Sequence, residues 1–302
     1  MELILKIELN SPPHSIIELQ NGNYAIAADK NTLIINKTSL KIKEKLENHE
    51  KEINRVLETK SGKLITISSD KTMAVNELDE NNHYKLLQRI KEPDKISSII
   101  ELSTEQILTC NCDNFIRLYK YKKENNKYEL DYSYEVKELV THAIEAKNGK
   151  VLLLTFDGDK SLLKLYSYDL NKKKIEKMLL IHSSICWNNY ETVFNVSDKY
   201  IAINLFNLIA IIDKDNISIV QEFGFMKDFI NAFGLYKNNN SIIYSTWGQK
   251  ICIWECNEEG IWESKNENVG DLNAGEIKCF ARDSDGKLLV GIENGLKIFK
   301  LK

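Results

Sequence analysis

The sequence predicts an all-β chain folded as a seven-bladed β-propeller. Three observations carry the prediction. A pattern of strands recurs about every 44 residues along nearly the whole chain. Each recurrence alternates apolar and polar residues with period 2, the mark of a strand with one face buried. The last recurrence lacks its final strand, and the N-terminal segment supplies a spare one.

The copies start near Pro13, Ile53, Ile96, Val140, Trp187, Ile230 and Ile277. Each reads as an apolar start, an alternating strand, a polar turn, an apolar strand, a short turn and another alternating strand. INRVLETKSGKLITISSDKTMAVNEL from Ile53 and IKCFARDSDGKLLVGIENGLKIFKLK from Ile277 show it plainly, and the copy from Trp187 is the least regular. The polar turn gives a column of Gly22, Gly62, Glu105, Gly149, Asp198, Asn239 and Gly286, with steps of 40, 43, 44, 49, 41 and 47 residues. Between copies lies one more strand-like segment: LKIKEKL from Leu40, HYKLLQRI from His83, YELDYSYEV from Tyr128, KIEKMLLI from Lys174, ISIVQEF from Ile217 and GIWES from Gly260. Four strands per repeat of this length make a propeller blade. The seventh copy stops after its third strand. Leu3 to Leu9, LILKIEL, is expected to pair onto it, closing the ring and removing an open edge. The expectation is a single domain over residues 1–302.

Composition narrows the function classes. The chain has 302 residues, 43% hydrophobic and 28% charged, the balance of a folded globular protein. With 41 basic and 44 acidic side chains the formal net charge is -3, so no general electrostatic attraction to nucleic acid is expected. The N-terminus lacks the apolar core of a signal peptide. The most apolar stretch, Ile201 to Ile212, is too short to span a bilayer and carries Asn204 and Asn207. Six cysteines in a chain of this length do not make a disulfide scaffold, which places the chain in a reducing compartment, the cytoplasm or the nucleus.

Several residues of the repeat form further columns. Asp29, Asp70, Asp113 and Asp157 occupy the turn between the second and third strands. The end of the third strand reads Asn36, Asn76, Tyr119, Tyr166, Ile212, Trp254 and Phe299. His49, after Asn48, precedes the first strand of the second copy. These columns resemble the WD40 repeat, with its Gly-His pair before the first strand, its turn aspartate and its Trp-Asp ending the third strand. Only Trp254, followed by Glu255, matches the tryptophan column. The resemblance implies a propeller that acts as a non-catalytic scaffold within larger assemblies, its partner a protein or peptide.

The candidate chemistry has structural readings. His49, Ser68 and Asp70 have the composition of a hydrolase triad. In a WD40-like blade the same residue types form a structural hydrogen-bond network, the aspartate accepting from the histidine and the serine. No strained G-x-S-x-G elbow lifts Ser68 into a site, and a triad is defined by geometry. Cys110 and Cys112 lie on one strand, Cys252 and Cys256 on another. Neither pair has zinc spacing, and no metal or cofactor is expected. Asp157-Gly158-Asp159 starts like a calcium loop, but Lys160 follows and the later ligands are missing, so a hairpin turn is expected. Lys172 to Lys174 read as a solvated hairpin tip.

The aromatic residues point to a surface. On one rim of such a ring lie the turns between second and third strands and the loops entering each first strand. Trp187 and Tyr190 fall in the loop entering the fifth blade, Phe206 at its inner turn, and Trp247 at the equivalent turn of the sixth. Phe225, Met226 and Phe229 fall in the loop entering the sixth. Two readings compete for these side chains: a partner-binding patch, or inward packing that caps the blades. The alternative to a scaffold is a propeller enzyme or small-ligand binder using the central channel, for which His142 is the one candidate residue.

Overall fold

The structure, a computed structural model, describes residues 2–146, 149–157, 162–181, 193–205, 208–223, 230–236, 240–246, 251–265 and 276–301. Among them are twenty-eight strands and no helix. β1 (Glu2–Glu8) is followed by seven sets. The first is β2 (Pro13–Glu18), β3 (Asn23–Ala28), β4 (Asn31–Asn36) and β5 (Ile42–Leu46). The second is β6 (Ile53–Glu58), β7 (Leu64–Ser68), β8 (Thr72–Leu78) and β9 (Tyr84–Lys91). The third is β10 (Ile96–Glu101), β11 (Ile107–Asn111), β12 (Phe115–Lys122) and β13 (Lys127–Glu135), and the fourth β14 (Leu139–Glu145), β15 (Lys150–Asp157), β16 (Leu162–Asp169) and β17 (Lys174–Ile181). The fifth is β18 (Val193–Asn195), β19 (Tyr200–Asn204), β20 (Ile209–Asp213) and β21 (Ser218–Phe223), and the sixth β22 (Ile230–Leu235), β23 (Ser241–Thr246), β24 (Ile251–Cys256) and β25 (Trp262–Lys265). The last has three, β26 (Ile277–Arg282), β27 (Lys287–Ile292) and β28 (Gly295–Lys300). The result is seven four-stranded antiparallel sheets, the blades of a β-propeller. The seventh is completed by β1, in the order β1-β28-β27-β26.

The second strands are rich in apolar residues because both their faces are covered. Every residue of β3, β7, β11 and β23 is buried. The outermost strands alternate and stay largely exposed, as in β9 and β13. By contacts the chain divides into two compact units, residues 19–182 and residues 1–18 with 183–302. In the first unit, Ile65, Ile67, Met73 and Val75 of blade two pack on Ile96, Ile99, Ile107 and Tyr119 of blade three. Leu108, Ile116 and Leu118 of blade three pack on Val140, Val151, Leu153 and Tyr168 of blade four. In the second unit, clusters of the same kind join blades five and six, and six and seven. Each fully buried Ile or Leu contributes about 1.5–3 kcal/mol.

Turn chemistry repeats with the strands. Gly22, Gly62, Glu105, Gly149 and Gly286, all of the predicted column, have φ between 64° and 79°. The turns close alike: Gly62 N–H donates to Thr59 O and Gly286 N–H to Asp283 O, at 2.8 and 3.0 Å. The glutamate ending a first strand then reaches the neighbouring blade's turn. Glu58 accepts from Gln20 N–H at 2.7 Å and Glu101 from Lys60 N–H at 2.8 Å. Glu145 accepts from Ser103 N–H at 2.9 and 2.8 Å and from its hydroxyl at 2.6 Å. Glu18 makes the same contact with Ser284, across 266 residues of sequence, at 2.6 and 2.8 Å.

β1 lies antiparallel to β28, with Glu2 opposite Lys300 and Glu8 opposite Gly295. Gly295 has φ of 150°, and a Cβ there would stand 2.0 Å from the carbonyl oxygen of Ile7. That backbone atom cannot move without breaking the pairing. Gly295→Ala is therefore expected to detach β1. Amide hydrogen exchange over residues 2–8 should accelerate, while exchange in blades two to four stays unchanged.

Candidate functional site

The polar residues of blades two, three and four assemble beneath one rim, where the loop entering each blade meets the turn between its second and third strands. In blade two the loop between β5 and β6 brings His49 against the turn after β7. Its ring is fully buried. Nδ1 lies 3.1 Å from Asp70 Oδ2 and 2.9 Å from Thr72 Oγ1, and Nε2 lies 2.7 Å from Thr66 Oγ1. A carboxylate can only accept, so we assign the proton to Nδ1, with the Thr66 hydroxyl donating to Nε2. Burial lowers the His49 pKa below its ordinary value, against the opposing pull of Asp70, so the ring is neutral at pH 7. For Asp70, burial alone would raise the pKa. The hydrogen bonds from Thr72 and from Glu50 N–H outweigh burial and hold it below the usual carboxylate range.

Ser68 takes a different part from the one its residue type suggests. Its Oγ donates to Lys51 O at 2.9 Å and accepts from Asp70 N–H at 3.1 Å. The hydroxyl on the carboxylate is that of Thr72, at 2.6 Å, and the hydroxyl on the imidazole is that of Thr66. The serine faces the backbone of the loop and the imidazole is spent on threonines, so the three residues lack the geometry of nucleophile and base.

Blade three builds the same junction from other chemistry. Glu92, buried in the loop after β9, takes the place of His49. Arg117 of β12 bridges Glu92, at 3.2 Å through Nε, and Asp113, at 2.6 and 3.1 Å through its terminal nitrogens. The Tyr119 hydroxyl donates to Glu92. Burial raises the Glu92 pKa, with Tyr119 and Arg117 pulling the other way. Blade four repeats the scheme with Glu138, Lys164, Asp157 and Tyr166. Lys164 pairs with Glu138 and, at 3.2 Å, with Asp157. The hydroxyls of Thr155 and Tyr166 donate to Glu138 at 2.8 and 3.2 Å. These hydrogen bonds to Glu138 and Asp157 raise the Lys164 pKa.

Register explains the equivalence. Thr66 stands opposite Ala74 and Thr109 opposite Arg117, while the longer hairpin of blade four sets Thr155 opposite Lys164, two residues nearer the turn. Blades one and five place apolar pairs there, Ile26 with Leu33 and Ile203 with Ala210. In blade seven Lys297, buried opposite Val290, holds the position of Arg117. Sequence reasoning found His49 and Asp70 but missed the two acids and their cations. A signal was present: His49, Glu92 and Glu138 precede their turn aspartates by 21, 21 and 19 residues, and a cation stands two residues before Tyr119 and before Tyr166.

The other sequence-derived candidates fall as follows. Trp187, Tyr190, Phe206, Phe225, Met226, Phe229 and Trp247 lie outside the described residues. His142 is buried in β14 opposite Leu154. Cys110 and Cys279 are buried thiols, while Cys112, Cys252 and Cys256 are half-buried, and none is in a disulfide. Among the described residues no group of His, Cys, Asp and Glu side chains has the arrangement of a metal site. Nor is any helix long and apolar enough to cross a membrane. Asp157 is held by Lys164; Gly158 and Asp159 lie outside the described residues. Lys172 pairs with Asp169 and Glu176 at 3.2 and 2.8 Å. Trp254 stacks on Phe223, ring centroids 4.3 Å apart.

Comparison with solved structures decides the architecture. The crystal structure of the β-propeller domain of Cps50 (Swd1) from Myceliophteria thermophila superimposes with a TM-score of 0.77. The match covers 99% of both chains at 14% sequence identity. The fold is a WD40-like seven-bladed β-propeller. At that identity the likeness speaks for the fold alone. No family model and no curated protein sequence matches the chain.

Two outcomes test the networks of this propeller. His49→Ala leaves Thr66 and Asp70 short of a buried partner, and should lower the unfolding free energy in urea by about 1–3 kcal/mol. Arg117→Met leaves Glu92 uncompensated and should cost about 3–5 kcal/mol at pH 7. The sign of its pH dependence follows from Glu92. A carboxyl whose folded-state pKa is raised binds a proton more readily folded than unfolded, so stability falls as pH rises through that range. Removing Arg117 raises the pKa further, so the deficit should be smaller at pH 5 than at pH 7.

Proposed function

We propose that the chain is a non-catalytic protein–protein interaction scaffold, a propeller subunit or adaptor that presents a rim surface to a protein or peptide partner. The observation that carries this reading is the use made of the polar residues. In blades two to four the histidine, the acids and the cations that a reaction would need are turned onto one another. They fix the loops entering each blade. Rigid loops with small exposed tips, such as Glu50, Lys51, Pro93 and Lys95, suit recognition, because little ordering entropy is lost when a partner binds.

The patch proposed from the sequence is Trp187, Tyr190, Phe206, Phe225, Met226, Phe229 and Trp247, on the loops and turns of blades five and six. Large aromatic side chains are the residue types that dominate binding energy at interfaces. The absence of disulfides among the described cysteines supports a reducing compartment, the cytoplasm or the nucleus.

The test is affinity purification from the source cell with mass spectrometry, run on the wild type and on a Trp187→Ala/Trp247→Ala variant whose folding is checked by circular dichroism. A stoichiometric partner retained by the wild type and lost by the variant is the expected result. A partner retained equally by both removes the patch. No partner with either protein removes the scaffold reading.

A further inference from the structure

The outer strands of the blades are tied together by a repeated device. In each of β5, β9, β13, β17 and β21 the pairing with the third strand is broken by one bulge. The residue just after the bulge is Glu44, Gln88, Tyr132, Lys177 or Gln221. Three of these clamp the backbone of the next blade's outer strand. Glu44 accepts from Tyr84 N–H at 3.1 and 3.2 Å. Gln88 accepts from Tyr128 N–H and donates to Tyr128 O, at 2.8 and 2.9 Å. Gln221 does both with Trp262, at 2.9 Å each. The clamped residue is aromatic every time and lies buried beneath the seam.

Between blades three and four, both in the unit 19–182, this device is replaced. Tyr132 holds the clamp position, and the residue it faces is Lys173, whose Nζ sits 4.2 Å from the centre of the Tyr132 ring. No aromatic side chain of β17 fills the seam. Ile175, Met178 and Leu180 stand opposite Tyr168, Tyr166 and Lys164 of β16. Residues opposite one another share a face of the sheet, and Tyr166 and Tyr168 belong to the cluster with blade three. All three apolar side chains of β17 therefore line the side of the groove that faces Tyr132 and Tyr134. They are 37%, 54% and 39% exposed, more large exposed apolar residues than on any other described strand. Among the described strands β17 is also a sheet edge, paired only with β16.

Charge selects the occupant. Lys173, Lys174 and Lys177 are exposed along this strand and its entrance. Its one carboxylate, Glu176, is already held by Lys150 and Lys172 at 2.7 and 2.8 Å. On the facing strand, Glu129 is engaged by Asn125 and Asp131 by Gln106, at 2.8 and 3.1 Å, and the exposed Glu135 stands at the strand's end opposite Phe115. A second copy of the chain, pairing edge to edge, would set these lysines against their own kind, which is how edge lysines prevent self-association. We propose that the groove between β13 and β17 docks an extended acidic segment of a partner protein. The segment adds as a fifth strand to the free edge of β17, its alternate apolar side chains inserted among Met178, Leu180 and Tyr134 and its carboxylates against the lysines. The proposal rests on the reading of the chain as an interaction scaffold and uses a surface separate from the rim.

The experiment is selection of a displayed library of random nine-residue peptides on the intact protein, followed by hydrogen exchange with an enriched peptide bound. Enrichment of sequences alternating apolar with acidic residues is expected, with slowed exchange of the amides over 174–181. Affinity should fall about tenfold or more in Met178→Glu/Leu180→Glu. In Lys174→Glu/Lys177→Glu the selected sequences should turn basic. Both variants change exposed side chains, and circular dichroism confirms that they fold. The proposal is overturned by enriched peptides that bind both variants as they bind the wild type, by exchange that slows elsewhere, or by the absence of any enrichment. It is equally overturned if phosphatidylserine vesicles, and no peptide, are bound through these residues. Because the rim variant is measured separately, a rim partner found alongside a silent groove defeats this proposal and leaves the scaffold reading in place.

Discussion

A four-stranded sheet of this composition cannot be stable by itself, and the whole architecture follows from that constraint. β7 and β11 are buried on both faces, β8 along most of its length and β12 along half of it, so each sheet must be covered on two sides. Water would otherwise meet Ile65, Ile67, Val75, Ile107 and Leu108, all of which are buried. Within each compact unit, stacking sheet against sheet meets the demand for each neighbour in turn, and the turns and latches described above hold those sheets together.

The polar groups obey the same demand. Between apolar faces a charge is tolerated only when its partner is at hand. Blade two solves the junction under the rim with a neutral imidazole and two threonines. Blades three and four solve it with an acid in the loop and a cation from the third strand. The two solutions place a hydrogen-bonded group at the same point, so the loops above end up held alike although their residues differ. Conformational uniformity is thus preserved across a set of repeats whose side chains have diverged.

This divergence explains what could be read from the sequence. Strand period and alternation survive because burial tests every residue of a strand, so the repeat, its strands and the pairing of the N-terminal segment with β28 were legible. The turn column was legible because a positive φ admits few residue types, and even Glu105 betrays itself by sitting where glycines sit. His49 and Asp70 were legible as a pair, but the role of Ser68 was not. A hydroxyl on a strand next to a loop has several acceptors within reach, and only coordinates distinguish Lys51 O from the Asp70 carboxylate. Glu92 and Glu138 looked like ordinary surface acids, because the cations that bury them, Arg117 and Lys164, lie 25 and 26 residues further along the chain. The exposed face of β17 was hidden for a related reason. Its period is interrupted by the bulge at Glu176, which brings Ile175 into line with Met178 and Leu180.

The pairing of β1 with β28 has a consequence for how the chain is made. β1 is translated before every other described strand and β28 after them, with Glu8 and Gly295 lying 287 positions apart in sequence. At the usual elongation rates of about 5–20 residues per second, roughly 15–60 s pass before β28 exists for it to pair with. During that interval the ribosome carries a nascent strand with an unsatisfied backbone and with Leu5 and Ile7, half-buried in the folded chain, uncovered. The blades in between can stack as they emerge, but the seventh stays incomplete until β28 has emerged. This is the period in which the nascent chain most needs a chaperone, and in which a neighbouring polysome-bound copy is its most dangerous companion.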